Sequence, residues 1–165
     1  MPALALSIQG AESFAELPTR ATLARWIRAA LTRDAELTLR FVGVREGRRL
    51  NREFRGKDYA TDVLTFAYST APTIRADIVL CVPIVKRAAR LVRKPLYDHL
   101  AHLSVHAVLH AHGHRHSSGS QARAMEALET RILRTLGKRD PYTDAGGGNP
   151  GNFAPAVERL RSRTA

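Results

Sequence analysis

Seven histidines lie between His99 and His116, and the chain has no histidine elsewhere. Three of them, His106, His110 and His116, have the spacing of a metal site. Residues four apart project from nearly the same face of a helix, so the first two imidazoles can bind one ion. Gly113 permits a backbone turn that could bring His116 back as a third ligand. Three protein ligands leave one tetrahedral position for water, which is the arrangement of a catalytic zinc.

The other four histidines are interpreted differently. His102 and His99 fall one and two turns before the first metal histidine on the same helical side, and are expected to be core-edge or cleft-lining residues. His112 and His114 are expected to be exposed side chains, although either could replace His116 if the turn takes another path. The alternative for the whole segment is a histidine-rich helix that binds no metal.

The histidine spacing is also similar to the metzincin protease pattern. That pattern requires a glutamate directly after the first histidine as general base, and the residue here is Ala107. No carboxylate occupies residues 99–125. A protease of this type would need its base from elsewhere in the chain, so peptide hydrolysis is disfavoured.

Positive charge is concentrated in the first third of the chain. The net charge is +11, from 26 Lys and Arg against 15 Asp and Glu. Residues 20–57 hold ten arginines and one lysine against four acidic residues. Because a guanidinium presents a planar donor fork that suits phosphate oxygens, we expect a polyanionic partner, most commonly nucleic acid. The alternative is an arginine bias from a GC-rich genome, with solvated faces and no partner.

Helical and extended patterns alternate along the chain. Apolar residues at three- and four-residue spacing predict helices over 18–33, 46–54, 83–93, 96–112 and 119–137. Alternating or continuous apolar runs predict strands over 3–9, 35–43, 62–68 and 77–82. Strands interspersed with helices favour an α+β fold, in which a small mixed β-sheet packs against several helices.

The helix predicted over 96–112 carries most of the histidines. It is apolar almost all round, so we expect it to be buried, with its histidine stripe lining a cleft and the metal site at its end. In the short helix over 46–54, Leu50 and Phe54 are expected to face inward. Asp62 and Asp77 are predicted to begin two strands, and a structural role is favoured for both.

The length and composition indicate a single domain. With 165 residues, the chain is expected to form one domain over 1–142, followed over 143–165 by a flexible tail that is Gly- and Pro-rich and then basic. No stretch approaches the roughly 20 apolar residues of a membrane span, and the N-terminus does not resemble a signal peptide. The only cysteine, Cys81, cannot form an internal disulfide and is expected in the core. A cytoplasmic protein is therefore expected.

Several segments, in the same order, resemble the YbeY endoribonuclease family of rRNA-maturation factors. The histidine segment is similar to the family signature His-Gly-x-Leu-His-Leu-x-Gly-Tyr-Asp-His. Residues 51–66 resemble its block Asn-x-x-(Tyr/Phe)-Arg-x-x-x-x-(Pro/Ala)-Thr-Asp-Val-Leu-Ser-Phe, and residues 76–81 its strand Gly-Asp-Ile-x-Ile-Cys. The run Met-Glu-x-x-Glu at 125–129 resembles its closing helix. The resemblance extends over about residues 35–138.

The resemblance implies a zinc ion bound by His106, His110 and His116, with Arg55 as the active-site arginine. It implies a zinc-dependent, single-strand-specific endoribonuclease that acts on rRNA in ribosome maturation, with a ribosomal protein or a ribosome-associated GTPase as a possible partner. The chemistry agrees, because zinc with an open position can polarise a phosphoryl oxygen or lower the pKa of its bound water to about 7. A guanidinium can hold the scissile phosphate and offset charge in the transition state.

The histidine segment departs from the family signature at several positions. Ala107 replaces a glycine and Ala111 replaces a leucine. His114 and Arg115 replace the Tyr-Asp pair before the third histidine. The aspartate is a possible acceptor for a ligating imidazole, and a cation beside the metal weakens its binding. We therefore expect a metal affinity below that of the family.

Two questions stay open at the level of sequence. The main alternative function is a non-catalytic RNA-binding factor in ribosome assembly, whose metal is structural. Within the nuclease hypothesis, either water or the internal 2′-hydroxyl of the RNA could attack phosphorus. The product ends distinguish the two, because internal attack leaves a 2′,3′-cyclic phosphate and attack by water leaves a 5′-phosphate.

Overall fold

The computed structural model describes residues 1–115 and 117–142. Within these ranges the chain forms a four-stranded sheet and five α-helices, which confirms the predicted α+β fold. The strands are β1 (Leu4–Gln9), β2 (Ala35–Val42), β3 (Val63–Ser69) and β4 (Ile74–Cys81). The helices are α1 (Arg20–Ala30), α2 (Val44–Arg55), α3 (Val82–Leu91), α4 (Leu96–Ala111) and α5 (Gly119–Thr135). The predicted tail over 143–165 lies outside the described residues.

The sheet is mixed, with strand order β1-β2-β4-β3. β1, β2 and β4 are parallel neighbours, and β3 runs antiparallel to β4. β4 therefore lies inside the sheet, as its apolar sequence predicted. β3 is an edge strand, and its register with β4 shifts between Ala67 and Ser69.

The start of β4 differs from the sequence prediction. The strand begins at Ile74, so Asp77 lies in its middle and not at its start. The sequence pattern missed the first part of the strand because it contains the charged residue Arg75. The exposed side chain of Arg75 pairs with Glu36 of β2 at 3.1 Å. Asp62, in contrast, directly precedes β3, and its carboxylate accepts a hydrogen bond from the Val63 N–H at 2.8 Å.

The main core lies on one face of the sheet, between the strands and helices α1 and α4. Leu39, Ile78 and Leu80 of the strands are buried there with side chains of both helices. Of the sixteen residues of α4, twelve are buried, which confirms the predicted buried helix. None of the helices in the described residues is long and apolar enough to cross a bilayer.

A smaller cluster lies on the second face, beneath α2. It contains Val42, Leu64, Val79 and Cys81, and Leu50 of α2 packs against it. Cys81 is buried, as predicted for a core side chain, and burial raises the pKa of its thiol. A Cβ at the α2 glycine, residue 47, would lie 3.2 Å from the Cys81 sulfur, so α2 approaches β4 closely at this point.

The expectation that Phe54 faces inward is wrong. Its side chain is 63% exposed. Phe54 lies near the C-terminal end of α2, where its ring meets Phe66 of the edge strand β3 with 5.2 Å between ring centroids. Helical periodicity placed Phe54 on the face of Leu50, but the core beneath α2 ends before the last turn of the helix.

Candidate metal centre

His106 and His110 lie on successive turns of α4 and face each other. The two Nε2 atoms are 3.0 Å apart, and the ring centroids are 4.6 Å apart. His106 is fully buried, whereas His110 is half-buried. Since zinc–imidazole bonds are about 2.0–2.1 Å long, one ion can contact both nitrogens at this separation. The pair therefore has the donor atoms and the spacing of part of a metal site.

Glu129 of α5 fixes the orientation of the His106 ring. One carboxylate oxygen accepts a hydrogen bond from Nδ1 of His106. The other oxygen lies 2.9 Å from Nε2 of His102 and accepts a hydrogen bond from the Tyr142 hydroxyl. A carboxylate bonded to Nδ1 places the ring proton there and directs the Nε2 lone pair towards His110, as in a carboxylate–histidine–metal arrangement.

The carboxyl group of Glu129 is ionised in this setting. Burial on its own would raise its pKa, because a charged group loses its hydration. The electrostatic interaction with His106 and the hydrogen bonds from His102 and His106 together outweigh burial and hold the pKa of Glu129 well below its usual range. A buried anion beside the histidine pair favours a cation at that position.

The sequence predicts Glu129 only as the end of the Met-Glu-x-x-Glu run and not as part of the site. A usable signal was present, because Glu129 is a carboxylate on the otherwise apolar face of α5, among Met125, Ile132 and Leu133. A buried carboxylate requires hydrogen-bond donors, and the histidine stripe of α4 provides them. The acceptor for His106 thus comes from another helix, and not from the position of the family's aspartate.

His99 and His102 occupy buried positions on α4, in agreement with the expected core-edge role. His102 joins the network around Glu129. Burial, together with the nearby charges of His102 and Lys94, lowers the pKa of His99 to about 3. The Nε2 atom of His99 has no hydrogen-bond partner among the described residues. His99 is therefore a neutral core residue at physiological pH.

His112 is not the exposed side chain that the sequence analysis expected. It is half-buried, with Nδ1 donating to the Val108 carbonyl at 2.8 Å and Nε2 accepting from the Thr32 N–H at 3.1 Å. Burial lowers its pKa. The ring thus joins the C-terminal end of α4 to the end of α1, and both nitrogens are engaged by main-chain groups. His114 is exposed, as expected.

The backbone turn that the sequence predicted at Gly113 follows α4. Gly113 has a φ of 99°, its N–H donates to the His110 carbonyl at 2.9 Å, and the His114 N–H donates to the Leu109 carbonyl at 3.1 Å. The third predicted ligand, His116, lies outside the described residues. Residues 1–115 and 117–142 contain no group of three potential metal ligands, so within them the centre consists of two histidines and their carboxylate partner.

Arg55 is the last residue of α2 and is half-buried. The loop that follows is fixed by Asn51, whose side-chain amide donates to the Tyr59 carbonyl at 2.8 Å. Gly56 ends the helix with a φ of 68°. Arg55 is thus held at a defined helix end, although α2 packs on the sheet face that carries the smaller cluster.

Comparisons with known proteins agree with the family resemblance of the sequence. The sequence profile of the family described as Endoribonuclease YbeY matches residues 8–137. The Endoribonuclease YbeY of Aromatoleum aromaticum is 54% identical over 142 residues, covering 84% of this chain and 92% of that protein. The protein of the same name from an Acidovorax species is 55% identical, covering 84% and 95% of the two chains.

A more distant structure shows the same fold. A solution structure of a Thermotoga maritima protein superposes with a TM-score of 0.52 and 21% sequence identity, covering 88% of this chain and 98% of that one. Together with the profile match over most of the chain, the identities above 50% decide the assignment. The chain belongs to the YbeY endoribonuclease family.

Proposed function

We propose that this protein is a zinc-dependent endoribonuclease that cleaves single-stranded RNA, chiefly rRNA, during ribosome maturation. The observation that carries the proposal is the facing pair His106 and His110, with Glu129 bound behind His106. The chain belongs to a family whose members are named endoribonucleases, which supports RNA cleavage as the reaction.

The proposed ligands of the zinc ion are His106, His110 and His116. The first two fit because their Nε2 atoms face each other at 3.0 Å and the buried anion Glu129 offsets the positive charge. When bound, zinc supplies a Lewis acid at the scissile phosphate. Glu129 acts through His106 as a positioning residue, since it holds the ring proton on Nδ1 and keeps the lone pair of Nε2 directed at the ion.

Arg55 is proposed to bind the scissile phosphate. Its guanidinium can donate two parallel hydrogen bonds to phosphate oxygens and offset the charge that develops as the bond breaks. The surrounding excess of arginine in residues 20–57 supports a polyanionic substrate. We further propose a cytoplasmic location, with a ribosomal protein or a ribosome-associated GTPase as partner.

The test combines metal analysis with cleavage of a 3′-labelled single-stranded RNA. We expect Arg55→Glu to abolish cleavage while the protein stays folded and retains its zinc, because the substitution replaces the phosphate donor by an anion. Arg134→Glu, on the exposed face of α5, is the matched control and should cut like the wild type. Equal cleavage by the wild type and Arg55→Glu would refute the role of Arg55.

A second variant separates catalysis from a structural metal. In the nuclease proposal, His110→Ala loses both zinc and cleavage, and the wild type produces defined RNA ends. If zinc were structural in a non-catalytic assembly factor, His110→Ala would lower the melting temperature, and the wild type would not cut the RNA. The ends of the product, 2′,3′-cyclic phosphate or 5′-phosphate, then identify the attacking group.

A further inference from the structure

Three aromatic side chains, Phe54, Phe66 and Tyr68, form a row along the edge strand β3. The rings of Phe54 and Phe66 lie 5.2 Å apart. Phe66 is the cross-strand partner of Asp77, whose carboxylate accepts a hydrogen bond from the Tyr68 hydroxyl at 2.7 Å. These contacts place all three rings on the sheet face that carries the smaller cluster.

The row is open to solvent at both ends. Phe54 is 63% exposed and Tyr68 is 69% exposed, while Phe66 between them is half-buried. Single exposed apolar residues are common on protein surfaces, but three rings on one sheet face, two of them largely exposed, are typical of a binding surface. The exposed rings of Phe54 and Tyr68 contribute little to the core, so packing alone does not account for them.

Arg55 follows Phe54 at the end of α2 and is the arginine beside this row. Arg45, Arg48, Arg49 and Arg52 form a stripe on the far side of the helix, where they line a groove of about 1150 Å³ with Arg40 of β2. Their acidic partners are few, since Arg49 pairs with Glu46 at 3.8 Å and both Arg48 and Arg52 pair with Asp58 at 2.8 Å and 3.7 Å. Arg45 has no ion pair within the described part of the chain. The stripe keeps an excess of positive charge.

The row also leads towards the candidate metal centre. Thr70 follows Tyr68 by two residues, and its methyl group would lie 3.9 Å from a Cβ built on Gly113. Gly113 in turn donates to the carbonyl of His110 at 2.9 Å. The Tyr68 end of the row is thus continuous, through β3, with the turn that follows the histidine pair.

We infer that Phe54, Phe66 and Tyr68 form a stacking surface for unpaired bases of the RNA, beside the phosphate that Arg55 binds. This inference rests on the proposed function for the identity of the ligand. Aromatic rings beside basic side chains are the usual means of binding single-stranded nucleic acid. Bases within a duplex already stack on each other, so this surface selects unpaired RNA. Asp77, the acidic residue opposite Phe66, accepts a hydrogen bond from the Tyr68 hydroxyl.

The test compares two ligands that differ only in their bases. Full-length protein is titrated into a fluorescent 2′-O-methyl oligonucleotide, which resists attack by the 2′-oxygen, and into an abasic oligonucleotide of the same length. Phe54→Ala should weaken binding of the base-bearing ligand about fivefold or more and leave the abasic ligand unchanged. Arg55→Ala should weaken both ligands equally, because Arg55 is proposed to contact phosphate.

Matched variants control for apolar area and for folding. Phe54→Trp keeps a stacking ring and should keep the wild-type affinity, whereas Phe54→Leu should bind as weakly as Phe54→Ala. Tyr68→Phe loses its bond to Asp77 but keeps the ring, so it should bind normally, while Tyr68→Ala should not. Leu91→Ala removes an exposed apolar side chain of α3 and should have no effect. Thermal melting of each variant verifies its fold.

The inference is overturned if Phe54→Ala and Leu91→Ala bind alike, or if Phe54→Ala weakens both ligands to the same extent. Either result can be told apart from a failure of the proposed function. Should the wild type fail to cut RNA while Phe54→Ala selectively loses the base-bearing ligand, the stacking surface stands and the nuclease proposal falls. Should cleavage depend on His110 while Phe54→Ala binds normally, the nuclease proposal stands and the stacking surface falls.

Discussion

At the scale of single residues, the candidate site depends on one buried carboxylate. Glu129 contacts His106 with one oxygen, and His102 and Tyr142 with the other. The histidine spacing was readable from the sequence because it is local to one helix. The carboxylate was not, because its role arises only when α5 packs against α4, and that packing is a long-range feature.

Replacing Glu129 by Gln tests this role directly. The amide keeps the size of the side chain but removes the charge that holds the proton on Nδ1 of His106. We expect zinc affinity to fall about 10- to 100-fold, measured by competition with a chromophoric chelator. Glu53→Gln, on the exposed surface of α2, is the control and should bind zinc like the wild type. An unchanged zinc affinity in Glu129→Gln would show that the carboxylate does not position His106 for metal binding.

The lowered pKa of His99 predicts how the stability of the fold depends on pH. Its pKa is about 3 in the folded protein, against about 6.5 for an unperturbed histidine. Between these values the unfolded chain binds a proton that the folded chain excludes, so stability is present above pH 6.5 and is lost as pH falls towards 3. At pH 5 the loss from this residue is up to about 2 kcal/mol.

Urea denaturation at pH 7.5 and pH 5.0 measures this loss. In His99→Leu the unfolding free energy should fall less between the two pH values than in the wild type, because the titrating group is absent. Parallel losses in the two proteins would show that His99 is not excluded from protonation.

At the scale of elements, the periodicity of the sequence predicted each helix and strand, but not how they are arranged. The all-round apolar character of α4 predicted its burial, and the apolar run of β4 predicted an interior strand. Neither pattern predicts the strand order β1-β2-β4-β3. For the same reason the sequence misplaced Phe54 and Asp77, whose positions depend on where α2 crosses the sheet edge and where β4 begins to pair with β2.

The junction between α4 and α1 is a second feature that the sequence did not show. His112 bonds to Val108 of its own helix and to the Thr32 N–H beyond α1. We expect His112→Ala to lower the unfolding free energy by about 1–3 kcal/mol, since the Thr32 N–H loses its partner and the Val108 carbonyl loses one of its two donors. His114→Ala is the matched control, because His114 lies on the same turn and is exposed. If both variants unfold at the same urea concentration, the junction does not contribute to stability.

At the scale of the whole molecule, the two faces of the sheet carry different chemistry and approach each other where Thr70 lies near Gly113. One face packs against α4, which carries the histidines, and the other carries α2 and the aromatic row. Net charge and arginine clustering predicted a polyanionic partner, because composition alone determines the sign of the charge. The juxtaposition of Phe54, Phe66 and Tyr68 could not be predicted, because α2 and β3 bring them together from separate segments. The division into a domain over 1–142 and a tail over 143–165 stays a prediction.

The central claim, that zinc at the histidine centre supports RNA cleavage, is tested by measuring cleavage and zinc content on the same preparations. The protein is stripped with a chelator, verified as metal-free by elemental analysis, and reloaded in steps with zinc. We predict that the cleavage rate of a single-stranded RNA rises in proportion to bound zinc and levels off at about one ion per chain. Cleavage at the full wild-type rate by the verified metal-free protein would contradict the account.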